Sequence, residues 1–170
     1  NKTDLIDNYY QLKATFETAD AMGANFINSC LEKLAESFEN FIKNDPVLSS
    51  NEKNIEIIMS VLSNYTPNCL VKASVSCPIN KLGPFKNMKS EEFAKKFLMA
   101  LKIAKNDHYR AVTHNKGIMN GIDAIAIATG NDYRAIEACA HAYASRNGKY
   151  SSLSNAFIEL LSCTQSILLI

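Results

Sequence analysis

Apolar and polar positions change rhythm several times along this 170-residue chain, and each rhythm predicts a different element. From Gln11 to Glu17 they alternate, with Leu12, Ala14 and Phe16 on one side and Gln11, Lys13, Thr15 and Glu17 on the other. That is the two-residue period of a half-buried strand. After Asp20 the period lengthens. Met22, Phe26, Ile27, Cys30, Leu31, Leu34, Phe38, Phe41 and Ile42 recur at helical spacing, while Glu32, Lys33, Glu36, Glu39 and Lys43 take the opposite face. Asp20 is the expected N-cap of this helix, and Pro46 is its stop.

Two further runs, Ile55 to Leu62 and Leu70 to Cys77, partly alternate and hold valine and isoleucine, so they read as strands joined through "SNYTPN". Pro78, Gly83 and Pro84 mark a loop, and Ser90 is expected to cap a second amphipathic helix carrying Phe93, Phe97, Leu98, Leu101 and Ala104. A polar stretch, "KNDHYRAVTHNKG", leads into "IMNGIDAIAIATG", whose periodicity fits a helix or a buried strand equally. "GNDYRAIEACAHAYAS" predicts a third helix, started by Asn131 or Asp132 and ended near Asn147 and Gly148. There is no internal repeat. Strands and helices mix without strict alternation, so the expected fold class is α+β or irregular α/β.

Composition narrows the function. A hydrophobic content of 47% suits one compact domain or parts of two. Eighteen basic residues stand against seventeen acidic ones, a net charge of +1 with neither sign gathered into a block. Nucleic acid is therefore not the expected partner. No stretch approaches the length of a membrane span and the first residues lack a signal-peptide pattern, so a soluble, cytoplasmic protein is expected. Five cysteines show no C-x-x-C pair and no metal-ligand spacing with the three histidines. They read as reduced thiols, and no metal is expected.

Three stretches carry candidate chemistry. In "DAMGAN", Asp20 to Asn25, a long helix begins with an almost bare first turn, where unpaired amides favour a phosphate or another polar ligand. A plain capped helix explains the same residues, and the stretch is not G-x-G-x-x-G. In "THNKGIMNG" the question is the lysine. If the chain is helical from Lys116 onward, Lys116, Asn120 and Asp123 share a face at i, i+4 and i+7, and Gly117 with Gly121 leaves a smooth groove beside them. An ammonium beside an amide stabilises negative charge developing on an oxygen, and Arg110 and Thr113 upstream could hold a carboxylate. A surface lysine is the plainer alternative, but the helix dipole disfavours a cation at a helix start. In "ATGND", Asp132 is either a helix cap or a carboxylate at a pocket edge. His108 and His114 either touch a ligand or, on the plainer reading, are solvated or backbone-bonded, and His141 reads as structural.

In order along the chain, "TADAMGANFINSCLE", "DHYRAVTHNKGIMNGIDAIAIATGNDYRAIEA" and "AHAYASRNGKYSSLS" resemble hydroxymethylglutaryl-CoA reductase, most closely its bacterial class II branch. The resemblance runs from about Leu12 to Ser154, with a looser region around Asp45 to Lys53. It implies part of a small nicotinamide-cofactor domain, residues 1–62, followed by part of a large substrate domain, residues 63–170. It also implies an enzyme that reduces hydroxymethylglutaryl-CoA by two successive hydride transfers with NADP or NAD as cofactor, giving mevalonate and free CoA, or runs the reverse, at the interface of a homodimer.

On the family pattern Arg110 and Thr113 bind the substrate's carboxylate, Lys116 is the catalytic lysine, Asn120 contacts substrate, and Asp132 is the catalytic aspartate beside the lysine. Asp20, Met22, Gly23 and Asn25 match the cofactor loop, and Asn64 in "LSN" matches an amide near the nicotinamide. The family's catalytic glutamate and histidine have no counterpart, and "NAFIELLSCTQSILLI" departs from the usual continuation. The chain is accordingly expected to be an internal portion, inactive alone. The alternative is a noncatalytic remnant kept for subunit association or ligand binding.

Overall fold

The computed structural model describes residues 6–83, 85–161 and 164–169. Pro84 of the expected loop and Cys163 lie outside them. The chain divides into two compact units, Asn1–Ser63 and Asn64–Ile170.

The first unit is built on one long helix, α1, Ala24–Asn44. Its sequence period places it where expected, but its N-cap is Gly23, not Asp20. Gly23 sits at φ 73°, ψ 11°, the left-handed region that glycine enters without a Cβ penalty. A Cβ there would stand 2.7 Å from Cγ2 of Thr18, so the tight approach also demands glycine. At the other end Asp45 Oδ1 accepts the Val47 N–H at 2.8 Å, and Pro46 prevents continuation.

Neither predicted strand of this unit forms. Residues 11–17 and 55–62 have no strand structure, because alternation only makes a strand possible and a ladder of hydrogen bonds must complete it. The Leu62 N–H instead donates to Asn28 Oδ1 of α1 at 3.0 Å, and Phe16 packs edge-on against Phe26 with ring centroids 6.2 Å apart.

Among the described residues the second unit holds three α-helices, a short 3-10 helix at Ile79–Lys81 and a small sheet. Strand β1, Val75–Pro78, pairs antiparallel with β3, Thr164–Leu169, which pairs antiparallel with β2, Ala156–Leu161, giving the order β1-β3-β2. Ile167 stands opposite both Cys77 and Ile158. The strand expected over Leu70–Cys77 is thus only its last residues, and Val71 is fully exposed.

Helix α2, Ser90–Asn106, has Lys89 as its N-cap, so Ser90 is its first residue and not the predicted cap. The polar stretch after it is not a separate segment. Asp107 accepts the Tyr109 N–H at 3.0 Å and starts α3, His108–Ala128, which runs unbroken through both the polar and the apolar sequence. Helix α4, Tyr133–Ala144, starts at Asp132 as expected and stops a few residues before Asn147.

Ala94, Leu101 and Ala104 of α2, with Ala111, Met119 and Ala126 of α3, make most of the core. Among the described residues, no helix is long and apolar enough to cross a membrane.

Candidate active site

Helix α3 decides where the candidate residues lie. Ala111, Asn115, Met119 and Ala126 form its buried stripe. Helical spacing then puts Arg110, Thr113, Gly117, Asn120 and Gly121 on the far side, with Lys116 at its margin. Arg110, Thr113, Lys116 and Asn120 are all exposed, and a Cβ added at Gly117 or Gly121 would meet nothing within 4 Å. The conditional expectation for Lys116, Asn120 and Asp123 is therefore met, because the chain is helical throughout. Arg110 and Thr113 join the same side only because the helix begins earlier than the polar sequence suggested.

What anchors this face is a buried amide one residue from the lysine. Asn115 is fully buried; its Nδ2 donates to the Ser151 carbonyl at 3.0 Å, and its Oδ1 accepts the Leu153 N–H at 2.9 Å. Next to it, the His114 Nε2 lies 2.7 Å from Ser154 Oγ. Burial, and then the positive charge of Arg110, hold the pKa of His114 below its ordinary value. The expectation of a solvated or backbone-bonded His114 is corrected: its partner is a side chain. These two residues clamp residues 151–154 onto α3 and fix the helix beneath the candidate face. Asn115 was not singled out from the sequence, although a signal existed. It falls at i+4 from Ala111 and i−4 from Met119, a polar residue on an apolar stripe.

Thr113 Oγ1 donates to the Tyr109 carbonyl at 3.3 Å, a bond a ligand could exchange. Asp132 is exposed, and its Oδ1 accepts the Ala135 N–H at 3.0 Å, so the helix-cap reading is realised. Among the described residues the ion pairs are Lys33–Glu36, Lys43–Glu39, Lys96–Glu92 and His141–Glu137, and neither Lys116 nor Asp132 enters one. Lys116 stands twelve residues before the end of α3, about 18 Å of helix axis, whereas Asp132 follows that end. His141 is structural as expected, with Nδ1 2.7 Å from Tyr150 Oη.

In the first unit Asp20, Met22 and Asn25 are exposed around Gly23, and no side chain caps the first turn of α1. Its free amides suit a phosphate or a carboxamide oxygen. Asn64, the remaining cofactor candidate, is exposed and begins the second unit.

Comparison with known proteins adds the following. The sequence model of the family described as hydroxymethylglutaryl-coenzyme A reductase matches residues 2–166. A Borreliella burgdorferi protein named "Probable 3-hydroxy-3-methylglutaryl-coenzyme A reductase" is 40% identical over 147 residues, which cover 86% of this chain and 31% of that protein. The 3-hydroxy-3-methylglutaryl-coenzyme A reductase of Archaeoglobus fulgidus is 37% identical over 132 residues, 78% of this chain and 26% of its own length. The chain thus spans about a third or less of these curated relatives. A class II reductase from Streptococcus pneumoniae, solved bound to NADPH in open conformations, superposes with a TM-score of 0.71 at 43% identity, covering 89% of this chain and 38% of that one.

Proposed function

The chain belongs to the hydroxymethylglutaryl-coenzyme A reductase family, and on that premise we propose that it contributes to the NAD(P)-dependent reduction of hydroxymethylglutaryl-CoA to mevalonate and CoA, or to the reverse reaction. One observation carries the reading at the level of chemistry. An unbroken α3 presents Arg110, Thr113, Lys116 and Asn120 along one uncovered side, opposite a buried stripe that holds it in place.

The roles follow from charge and reach. The Arg110 guanidinium and the Thr113 hydroxyl bind the substrate's free carboxylate, a charge-assisted pairing that arginine's fork favours. That fixes the thioester end along α3 toward Lys116 and Asn120. The nicotinamide cofactor, when bound, would supply one hydride in each of the two successive transfers that carry the thioester to the alcohol and free CoA. As the thioester carbon is reduced, its oxygen gains negative charge, and the Lys116 ammonium stabilises that charge and donates a proton to it. Asn120 contacts the substrate in the same region. The uncapped first turn of α1, with Asp20, Met22, Gly23 and Asn25, holds the cofactor in this reading, and Asn64 contributes a second amide. Residues 1–62 then belong to the cofactor domain and residues 63–170 to the substrate domain.

Asp132 is assigned as the carboxylate partner of Lys116. The site is proposed to lie at the interface of a homodimer, as the family resemblance implies. The chain by itself lacks counterparts of the family's glutamate and histidine and is expected to form no mevalonate.

Lys116→Ala tests the reading in the product of the complete reading frame that encodes this chain. Substrate binding is retained while kcat falls by about two to three orders of magnitude, the loss typical of one such donor. Unimpaired reduction in that variant removes the assignment.

A further inference from the structure

Outside the residues assigned above, one group is anomalous. Asp123, on α3, is half-buried, and its Oδ1 is sealed from solvent without a hydrogen-bond partner, the one such side-chain atom among the described residues. A desolvated carboxylate oxygen with nothing to accept is costly, a cost relieved by a donor that arrives in another arrangement of the site.

Helix geometry limits the donors on its own element. Side chains meet at i±3 and i±4, which for Asp123 means Asn120, Met119, Ala126 and Ile127. Only Asn120 carries a donor. Side chains on a helix also lean toward its N-terminus, so Asp123 tilts toward the turn of Asn120, and Asn120 tilts toward the turn of Lys116. Lys116 itself is seven residues from Asp123, about 10 Å along the axis, and leans away from it. Asn120 is exposed, and no side chain among the described residues holds it in place, so turning its amide is a fast rotamer change.

We infer that Asp123 is a positioning residue acting through Asn120. Its sealed oxygen accepts the Asn120 Nδ2–H when the site is engaged, and that turns the Asn120 carbonyl toward the N-terminal side, where it accepts a hydrogen bond from the Lys116 ammonium. The lysine is thereby aimed along the open face and not left to sample solvent. This rests on the proposed role of Lys116. The relay differs from a structural bond because it forms only with the catalytic group, and the isolated helix gains nothing from Asp123.

The experiment uses four variants of the complete reading-frame product in a steady-state reduction assay, alongside Lys116→Ala. Asp123→Ala lowers kcat about ten-fold with KM within about two-fold, and its melting temperature does not fall, since an unsatisfied buried acceptor has been removed. Asp123→Asn, which keeps an acceptor oxygen in nearly the same place, recovers most of kcat. Asn120→Ala is slow, and adding Asp123→Ala to it slows it no further. A wild-type kcat in Asp123→Ala, additive losses in the double variant, or a lowered melting temperature with no separate loss of kcat overturns the relay. If these occur while Lys116→Ala abolishes reduction, the relay alone fails. If Lys116→Ala reduces normally, the parent reading fails and takes the relay with it.

Discussion

Helices α1 and α3 are both 21 residues long, yet they are opposites in how they use their sequence. α1 separates apolar from polar residues cleanly along its length and has no buried residue; Phe26, Leu34 and Phe41 stay exposed. α3 reads as a polar half joined to an apolar half, yet it is pinned by four buried positions, one of them the amide of Asn115. Amphipathic pattern reports what a helix is able to bury. Whether anything covers it depends on neighbours, and within its own unit α1 has none that bury a side chain among the described residues.

The sharpest way to break this contrast is to damage each helix at its apolar or buried stripe. Asn115→Leu leaves the Ser151 carbonyl and the Leu153 N–H without their partner and should destabilise the second unit by about 2–4 kcal/mol. Phe41→Ala, at a site 63% exposed, should cost less than about 1 kcal/mol. Urea unfolding of both variants checks the difference, and equal costs would mean that α1 is covered after all.

A smaller effect separates backbone from packing. Gly23→Ala forces a residue with a Cβ into the left-handed region, against Thr18, and should cost about 1–2 kcal/mol. Gly121→Ala on the open side of α3 should instead stabilise that helix by about 0.5–1 kcal/mol, because the new Cβ meets nothing. Opposite signs in thermal unfolding would support the assignment of backbone strain to Gly23 and free space to Gly121.

The smallest effect is electrostatic. Because the folded state lowers the pKa of His114 below its ordinary 6.5, the unfolded chain takes up that proton more readily. The resulting stability is fully present above 6.5 and is lost as pH falls through the folded value. The urea midpoint of the second unit should therefore drop as pH falls below about 6.5, and His114→Gln should flatten that slope. An unchanged slope in the variant would place the titration elsewhere.

Much of the helical content is legible in residue order. The 3.6-residue period located α1, and the period with a cap located α4, where Asp132 does what its local chemistry predicts. The strands were less legible. Gln11–Glu17 alternates as well as any strand, yet these residues form no strand. The three strands that do form include β2 and β3, for which the sequence offered no reading. α3 was half hidden because its polar first turns suggested a connection, yet Ala111 and Asn115 within those turns are buried. Of the candidate site, the i, i+4, i+7 spacing of Lys116, Asn120 and Asp123 was readable in advance. The sealed oxygen of Asp123 and the clamp from Asn115 and His114 to residues 151–154 were not.

By itself the sequence determined the family, the helical periods and the residue types available for chemistry, because these depend on spacing within a few turns of chain. Tertiary structure decided which faces are covered, which strands find a partner and which polar groups are sealed from water. Those outcomes depend on contacts between residues far apart in sequence, and no local pattern carries the free energy of a neighbour that arrives from elsewhere.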